Sequence, residues 1–290
     1  MENPGTMAAL RARLMAKRGG NKIVDKVFTG LVLLFSVAMV IPLVTILGFI
    51  LVKGVSFIRP GLFLYDEGKQ GILHAILGSF IIVGMASAIA IPLAVLTGIY
   101  LSEARISRIS NLVRVSVDVL QGVPSIVVGI LAYIWLVVPL RHNSAWAGSL
   151  ALAIIMLPTV IKSTEESLKL VPQSLKEGAY SLGAPRFRVM LQIVLPAGKS
   201  GVITGILVGL ARILGETAPL IFTAAGSRFM NADTAKMMES MPHLINGYYV
   251  SSLDWQVNNA WAAAFILTVL VLALNLMTKL ATRKWKRKKG

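Results

Sequence analysis

Between Lys26 and Lys53 the chain has no Asp, Glu, Lys or Arg, and between Lys69 and Glu103 it again has none. An apolar run of about 20 residues is what an α-helix needs to cross a bilayer. Inside hydrocarbon every backbone group must be satisfied internally, which leaves helices or closed barrels. Charged residues make up 14% of the 290, well below the roughly 25% of a soluble domain. The chain therefore reads as an all-α membrane protein with six transmembrane helices. They are predicted at about 27–52, 71–101, 112–138, 145–161, 198–225 and 260–280. The first run is too long for the core of a signal peptide and has no convincing cleavage site after it, so it reads as a retained span.

Six spans make the loops alternate between two sides. One side collects most of the 29 Lys and Arg. It takes a basic N-terminal tail, 1–26, the loop near 102–114, a long loop over about 162–197, and a basic tail, 281–290. The other side takes 53–70, 139–144 and a long loop over about 226–259. Positive charge stays in the cytoplasm, so both termini are expected inside and 27–280 is expected to form one transmembrane domain. The C-terminal "KLATRKWKRKKG" reads as a topology anchor drawn to anionic membrane lipid, and no nucleic-acid partner is expected. There is no cysteine, and His74, His142 and His243 stand alone, so no metal site is expected.

Two opposite charges, Arg212 and Glu216, interrupt the fifth span in "LARILGETAPL". Counted from Gly198, Arg212 lies about 20 Å along its helix, near mid-depth. A lone charge there costs about 2.5–3.5 kcal/mol on insertion scales. The i, i+4 spacing allows the two to pair on one face. Gly201, Gly205 and Gly209 precede them on the same helix, within an arc of about 80°, and such small residues admit a close neighbouring helix. Arg212 and Glu216 are thus expected to continue the packed stripe and face protein or a water-filled cavity. A second i, i+4 pair, Arg114 and Asp118, stands near the start of the third span, and Pro124 after Gly122 weakens the helix just beyond it.

Two readings fit these pairs. They are structural ion pairs fixing helix contacts, or they line a passage for an anion. Arginine's planar fork matches oxyanions such as phosphate. A carboxylate beside it would hold the guanidinium while the site is empty and keep binding weak enough for release. Glu216 would also accept the proton-bearing oxygen of hydrogen phosphate, which sulfate lacks.

The long basic loop contains a short helix outside the membrane. Pro172 suits its first turn. Leu175, Ala179 and Leu182 form one apolar stripe, Gly183 suits a left-handed stop, and Pro185 blocks continuation. "AGKS" at 197–200 is not a nucleotide-binding P-loop, because Ile193 stands where its first glycine belongs and no strand precedes it.

Residues 177–196 resemble the EAA loop of ABC-transporter permeases, E-A-A-x3-G-x9-I-x-L-P. Glu177, Ala179, Gly183, Ile193, Leu195 and Pro196 fall in register, and Gly178 replaces the first alanine. "RVSVDVLQGVPSIVVGI", "PTVIKSTEESLKLVPQSLKEGAYSLGAP" and "GILVGLARILGETAPLIFTA" are similar to permeases of phosphate ABC importers, and the resemblance covers about 70–280. It implies a type I ABC importer permease fold with a cytoplasmic coupling helix at about 172–184, in a bacterial inner membrane. The implied partners are a PstC-like sister permease forming a heterodimer, two ATPase subunits and an external phosphate-binding protein. Inorganic phosphate is the implied substrate. ATP and Mg are bound by the ATPase partners, and no cofactor or catalytic role is expected in this chain. Leu175, Glu177, Gly178, Ala179, Leu182 and Gly183 then become ATPase-coupling residues, and Arg212 and Glu216 match the charged pair of the pathway. A permease for sulfate or molybdate, a secondary anion transporter acting alone, and a structural scaffold are the rival readings.

Overall fold

The structure is a computed structural model that describes residues 22–104 and 107–286. Arg11, Arg13, Lys17 and Arg18 of the basic N-terminal tail and the last residues, 287–290, lie outside the described residues. The chain divides into two compact units, one ending at Val52 and one beginning at Lys53. The first is most of helix α1, Lys22–Ser56. Its side chains from Phe28 to Val44 are exposed on every face, as suits a helix solvated by lipid. Ser36 and Thr45 each donate their hydroxyl to the carbonyl four residues back, so neither is left unsatisfied in hydrocarbon.

In the second unit α2 (Pro60–Leu64) leads to α3 (Leu73–Glu103). Then come α4 (Arg108–Gly122), α5 (Ser125–Leu140), α6 (Ala145–Lys169), α7 (Gln173–Ser181), α8 (Arg186–Leu214), α9 (Ala218–Thr223), α10 (Met241–Tyr249) and α11 (Asp254–Lys286). Among the described residues five helices are long and apolar enough to cross a membrane, or six if α4 and α5 count as one bent span.

That pair corrects the expected span at 112–138. The two helices meet at 105°. Val123 and Pro124 adopt extended-type backbone between them, and Pro124 has no N–H to continue the ladder. The expected weakening is thus a full break. The expected fourth span, 145–161, runs on to Lys169, which takes Lys162–Lys169 out of the long loop. The fifth, expected over 198–225, begins at Arg186, contains a π-helical turn at Met190–Val194, and stops at Leu214.

The core is built from small residues. Ile82, Ala86, Ala90 and Ala94 of α3 recur every fourth residue and are buried with Leu152, Met156 and Val160 of α6. Ser149 of α6 donates to the Ile82 carbonyl. Lipid offers no hydrophobic drive between helices, so close backbone approach and dispersion hold them together. Helix α8 also packs on α6. A Cβ at Gly201 would collide with Ser167, one at Gly205 with Ser163, and one at Gly209 would stand 3.1 Å from Met156 and Val160.

At the opposite end the 226–259 segment is folded, not open. Met241, Leu244 and Tyr248 of α10 are buried with Leu62, Ile72 and Ala263. The Met241 N–H donates to the Ser79 hydroxyl at 2.7 Å. Tyr248 stacks edge-on against Trp255, centroids 5.8 Å apart, whereas Tyr249 is exposed.

Candidate functional site

Helix α8 ends because Gly215 adopts non-helical backbone and Pro219 follows in the first turn of α9. The Gly215 N–H turns back to the Arg212 carbonyl and the Glu216 N–H to that of Ile213. Arg212 therefore sits in the last helical turn, where the helix dipole favours a cation, and Glu216 sits in the break. Their atoms Nε and Oε1 are 3.8 Å apart, which is an ion pair without a hydrogen bond. The buried positions of α8 run through Val202, Gly205, Gly209 and Ile213. Arg212 lies at the margin of that face and is 40% exposed, while Glu216 is 18% exposed. This corrects the expectation that both charges continue the packed stripe on one helix face. Glu216 is beyond the helix, and Arg212 borders the stripe.

The second predicted pair is not a pair. The Arg114 Nε donates to Glu165 Oε1 at 2.9 Å, and its Nη2 donates to the Leu101 carbonyl at 2.8 Å. Asp118 instead accepts from Lys162 Nζ at 2.6 Å. Lys169 joins Glu165 from one turn away at 2.5 Å. Arg114, Asp118, Lys162, Glu165, Glu166 and Lys169 thus surround a polar cavity of about 280 Å³. The reason for the exchange is reach. The last two turns of α6 bring carboxylate and ammonium partners to the side of α4, and each charge finds a cross-helix counter-ion instead of its own neighbour.

The predicted pathway residues therefore fall into two groups. Arg114 and Asp118 meet the last turns of α6, whereas Gly209, just before Arg212, lies against Met156 and Val160. Along α8, Arg212 is about 16 Å from Gly201 by helical rise. Short helix α9 connects the Arg212 end to the broken span, because a Cβ at Gly129 of α5 would fall 2.5 Å from the Pro219 Cα.

Helix α7 forms where the loop helix is expected, and its end is a Schellman motif. The Ala184 N–H bonds the Ala179 carbonyl and the Gly183 N–H bonds that of Tyr180, with Gly183 at φ 78°. Its inner face differs from the expected Leu175, Ala179, Leu182 stripe. Ala179 is buried beside Val189 and Val194, but Leu175 points outward and Leu182 is 90% exposed past the helix end. Lys176 takes the buried place and is ion-paired to Glu103 at the end of α3. Glu177 and Gly178 are exposed, and nothing approaches a Cβ placed at Gly178.

The sequence reading missed Glu103, Lys162, Glu165, Glu166, Lys169 and Lys176. The signal for four of them was present. Lys162, Glu165, Glu166 and Lys169 are spaced i, i+3, i+4, i+7 on one helical face, in the turns that the short 145–161 span was expected to be able to borrow from the loop after it.

A model of the binding-protein-dependent transport system inner membrane component family matches residues 90–287. The chain is 37% identical to the phosphate transport system permease protein PstA of Yersinia pestis, over 99% of this chain and 98% of that one. It is 42% identical to PstA of Haemophilus influenzae, over 73% and 76%. Among solved structures it is similar to an inward-facing conformation of the MetNI methionine ABC transporter. The TM-score is 0.57 at 17% identity, over 78% of this chain and 98% of that one. That likeness is one of fold, the type I ABC importer permease fold.

Proposed function

Since the chain belongs to the binding-protein-dependent transport system inner membrane component family, we propose that it is a permease subunit of an ATP-driven importer of inorganic phosphate. The observation that carries this reading is its likeness, along almost the full length of both chains, to a phosphate permease. The chemistry of the site supports it. A guanidinium at a helix end, partly exposed and loosely held by one carboxylate, is a donor fork ready to exchange its counter-ion for an oxyanion.

In this proposal the chain forms half of the pathway, and a PstC-like sister permease forms the other half. Two ATPase subunits bind ATP and Mg on the cytoplasmic side, and a phosphate-binding protein delivers substrate on the other. Both termini are cytoplasmic, as the Lys and Arg distribution indicates. Exposed Leu175, Glu177 and Leu182, with Gly178 and the Gly183 stop, present α7 to the ATPase. ATP closes the ATPase dimer, α7 moves, and the pathway alternates between its two openings. Phosphate meets Arg212 in transit, with Glu216 as the counter-charge of the empty state and the acceptor for the phosphate proton. The chain itself makes and breaks no covalent bond.

The test is ATP-dependent phosphate uptake by vesicles holding all subunits. Arg212→Gln is expected to cut uptake by about tenfold or more, because a charge-assisted bond made in transit is lost, while the complex still assembles. Undiminished uptake would remove Arg212 from the pathway. Uptake that sulfate or molybdate abolishes by competition would move the assignment to another oxyanion.

A further inference from the structure

Helix α7 is exposed over most of its surface, yet its lysine at position 176 is 7% exposed. A lysine is rarely buried unless paired, and this one is spent on Glu103, the last residue of α3. The same helix end is held by a second cation. The Leu101 carbonyl is one of the acceptors that a helix C-terminus leaves open, and it takes the Arg114 guanidinium of α4. Arg114 is fixed in turn by Glu165 of α6. The end of α3 is thus a junction held by Lys176 of α7 at the Glu103 carboxylate and by Arg114 of α4 at the Leu101 carbonyl, near the negative pole of the helix. Helix α4 leads directly into the 105° break at Gly122–Pro124. Beyond it, Gly129 of α5 bears on Pro219 of α9, three residues after Glu216.

We infer that Lys176 and Glu103 form a strut through which displacement of α7 reaches the α3 terminus and, by way of the Leu101 carbonyl and Arg114, turns α4 about its break. Both are positioning residues for transport and do not touch the substrate. The inference rests on the proposed role of α7 as the element that meets the ATPase. Its physical warrant is that the strut is ionic and its lysine end is buried, the Lys176 and Glu103 side chains being 9% and 37% exposed. A cation left alone in that site is costly, so the two helix ends move together or not at all.

The experiment uses the complete transporter in liposomes and reads phosphate taken up per ATP hydrolysed. Glu103→Gln and Lys176→Gln are expected to lower that ratio by about tenfold, while ATPase activity stimulated by the binding protein stays within about twofold, since removing one partner leaves the other charge uncompensated and loosens the joint. Glu103→Gln is the harsher change, because it strands the more buried partner. Lys176→Arg and the exchanged pair Glu103→Lys with Lys176→Glu restore the ratio. An unchanged ratio in both single variants overturns the strut. So do parallel losses of uptake, ATPase activity and assembly that the exchanged pair fails to rescue.

A second measurement does not depend on the substrate. The chain contains no cysteine, so spin labels at Leu112 of α4 and Ile134 of α5, both exposed, report the angle at the break. Addition of ATP shifts their separation in the wild type and not in Lys176→Gln. A wild type with no shift, or a variant with the full shift, rules the strut out. Wild-type vesicles that take up no phosphate but still show the strut-dependent shift would refute the substrate assignment alone.

Discussion

A single methyl group separates function from collision at Gly205, where a Cβ would strike the Ser163 side chain. Gly205→Val is expected to lower the melting temperature of the solubilised complex by an overpacking cost of about 1–3 kcal/mol, and Ser163→Gly is expected to recover part of it. Gly178, with open space around its missing Cβ, is the control. Gly178→Ala leaves stability unchanged or raises it, since alanine suits a helix interior better. Equal losses at both positions would mean that the α6–α8 contact is not the seat of the effect. The glycine spacing at 201, 205 and 209 was legible because small residues every fourth place leave few other uses in lipid. The partner of Arg114 was not. Residues 114 and 118 look paired by local spacing, but the stronger partner of Arg114 comes from 51 residues away, that of Asp118 is Lys162, and a local pattern cannot weigh a distant competitor. Lys176 was hidden for the same reason. Its charge argued for solvent, and only the end of α3 makes its burial tolerable.

Among the elements, α10 ties the segment after α9 to the helix ends beneath it. His243 Nδ1 lies 2.7 Å from Glu239 Oε1, and the hydrogen bond to that carboxylate raises the imidazole pKa above its ordinary value, more than burial lowers it. Other charged and titratable groups about this cap are Glu67, which faces Arg228 at 3.8 Å, together with Asp66, His74 and Tyr248. A raised folded pKa contributes stability that is whole below the ordinary histidine value, about 6.5, and is lost as pH rises through the folded value. Tryptic cutting at Arg228 and Lys236 is therefore expected to quicken as pH climbs past that value, and Glu239→Gln should flatten the profile. A wild-type rate that does not vary with pH across this window, after correction for the protease, would dismiss the His243–Glu239 bond as what holds the segment. The elements themselves were largely legible, since length and hydropathy suffice for α1, α3 and α11. The break between α4 and α5 was only half legible. Pro124 announced a weak point, but the angle is set by α4 turning its charges toward α6 and leaving Ile109, Leu112 and Val119 exposed. The extension of α6 past 161 was only half legible, since the short span could borrow turns from the loop after it but charged turns read as loop.

For the whole molecule, the all-α membrane class and the order of the spans followed from apolar runs, the permease fold followed from the resemblance carried by the EAA loop and its flanks, and the grouping of charges needed the packed helices. The proposed orientation has a direct check. Protease added to inverted vesicles is expected to cut the basic stretch 283–289, whereas right-side-out vesicles protect it. The opposite pattern would invert every assignment of sides, including which face of the transporter α7 serves. Leu170, Leu182 and Phe187 are 83%, 90% and 75% exposed around α7, a greasy display that water opposes. A copy made in excess of its companions carries this mark uncovered. Under the docking proposed for α7, this apolar surface is what the ATPase would cover.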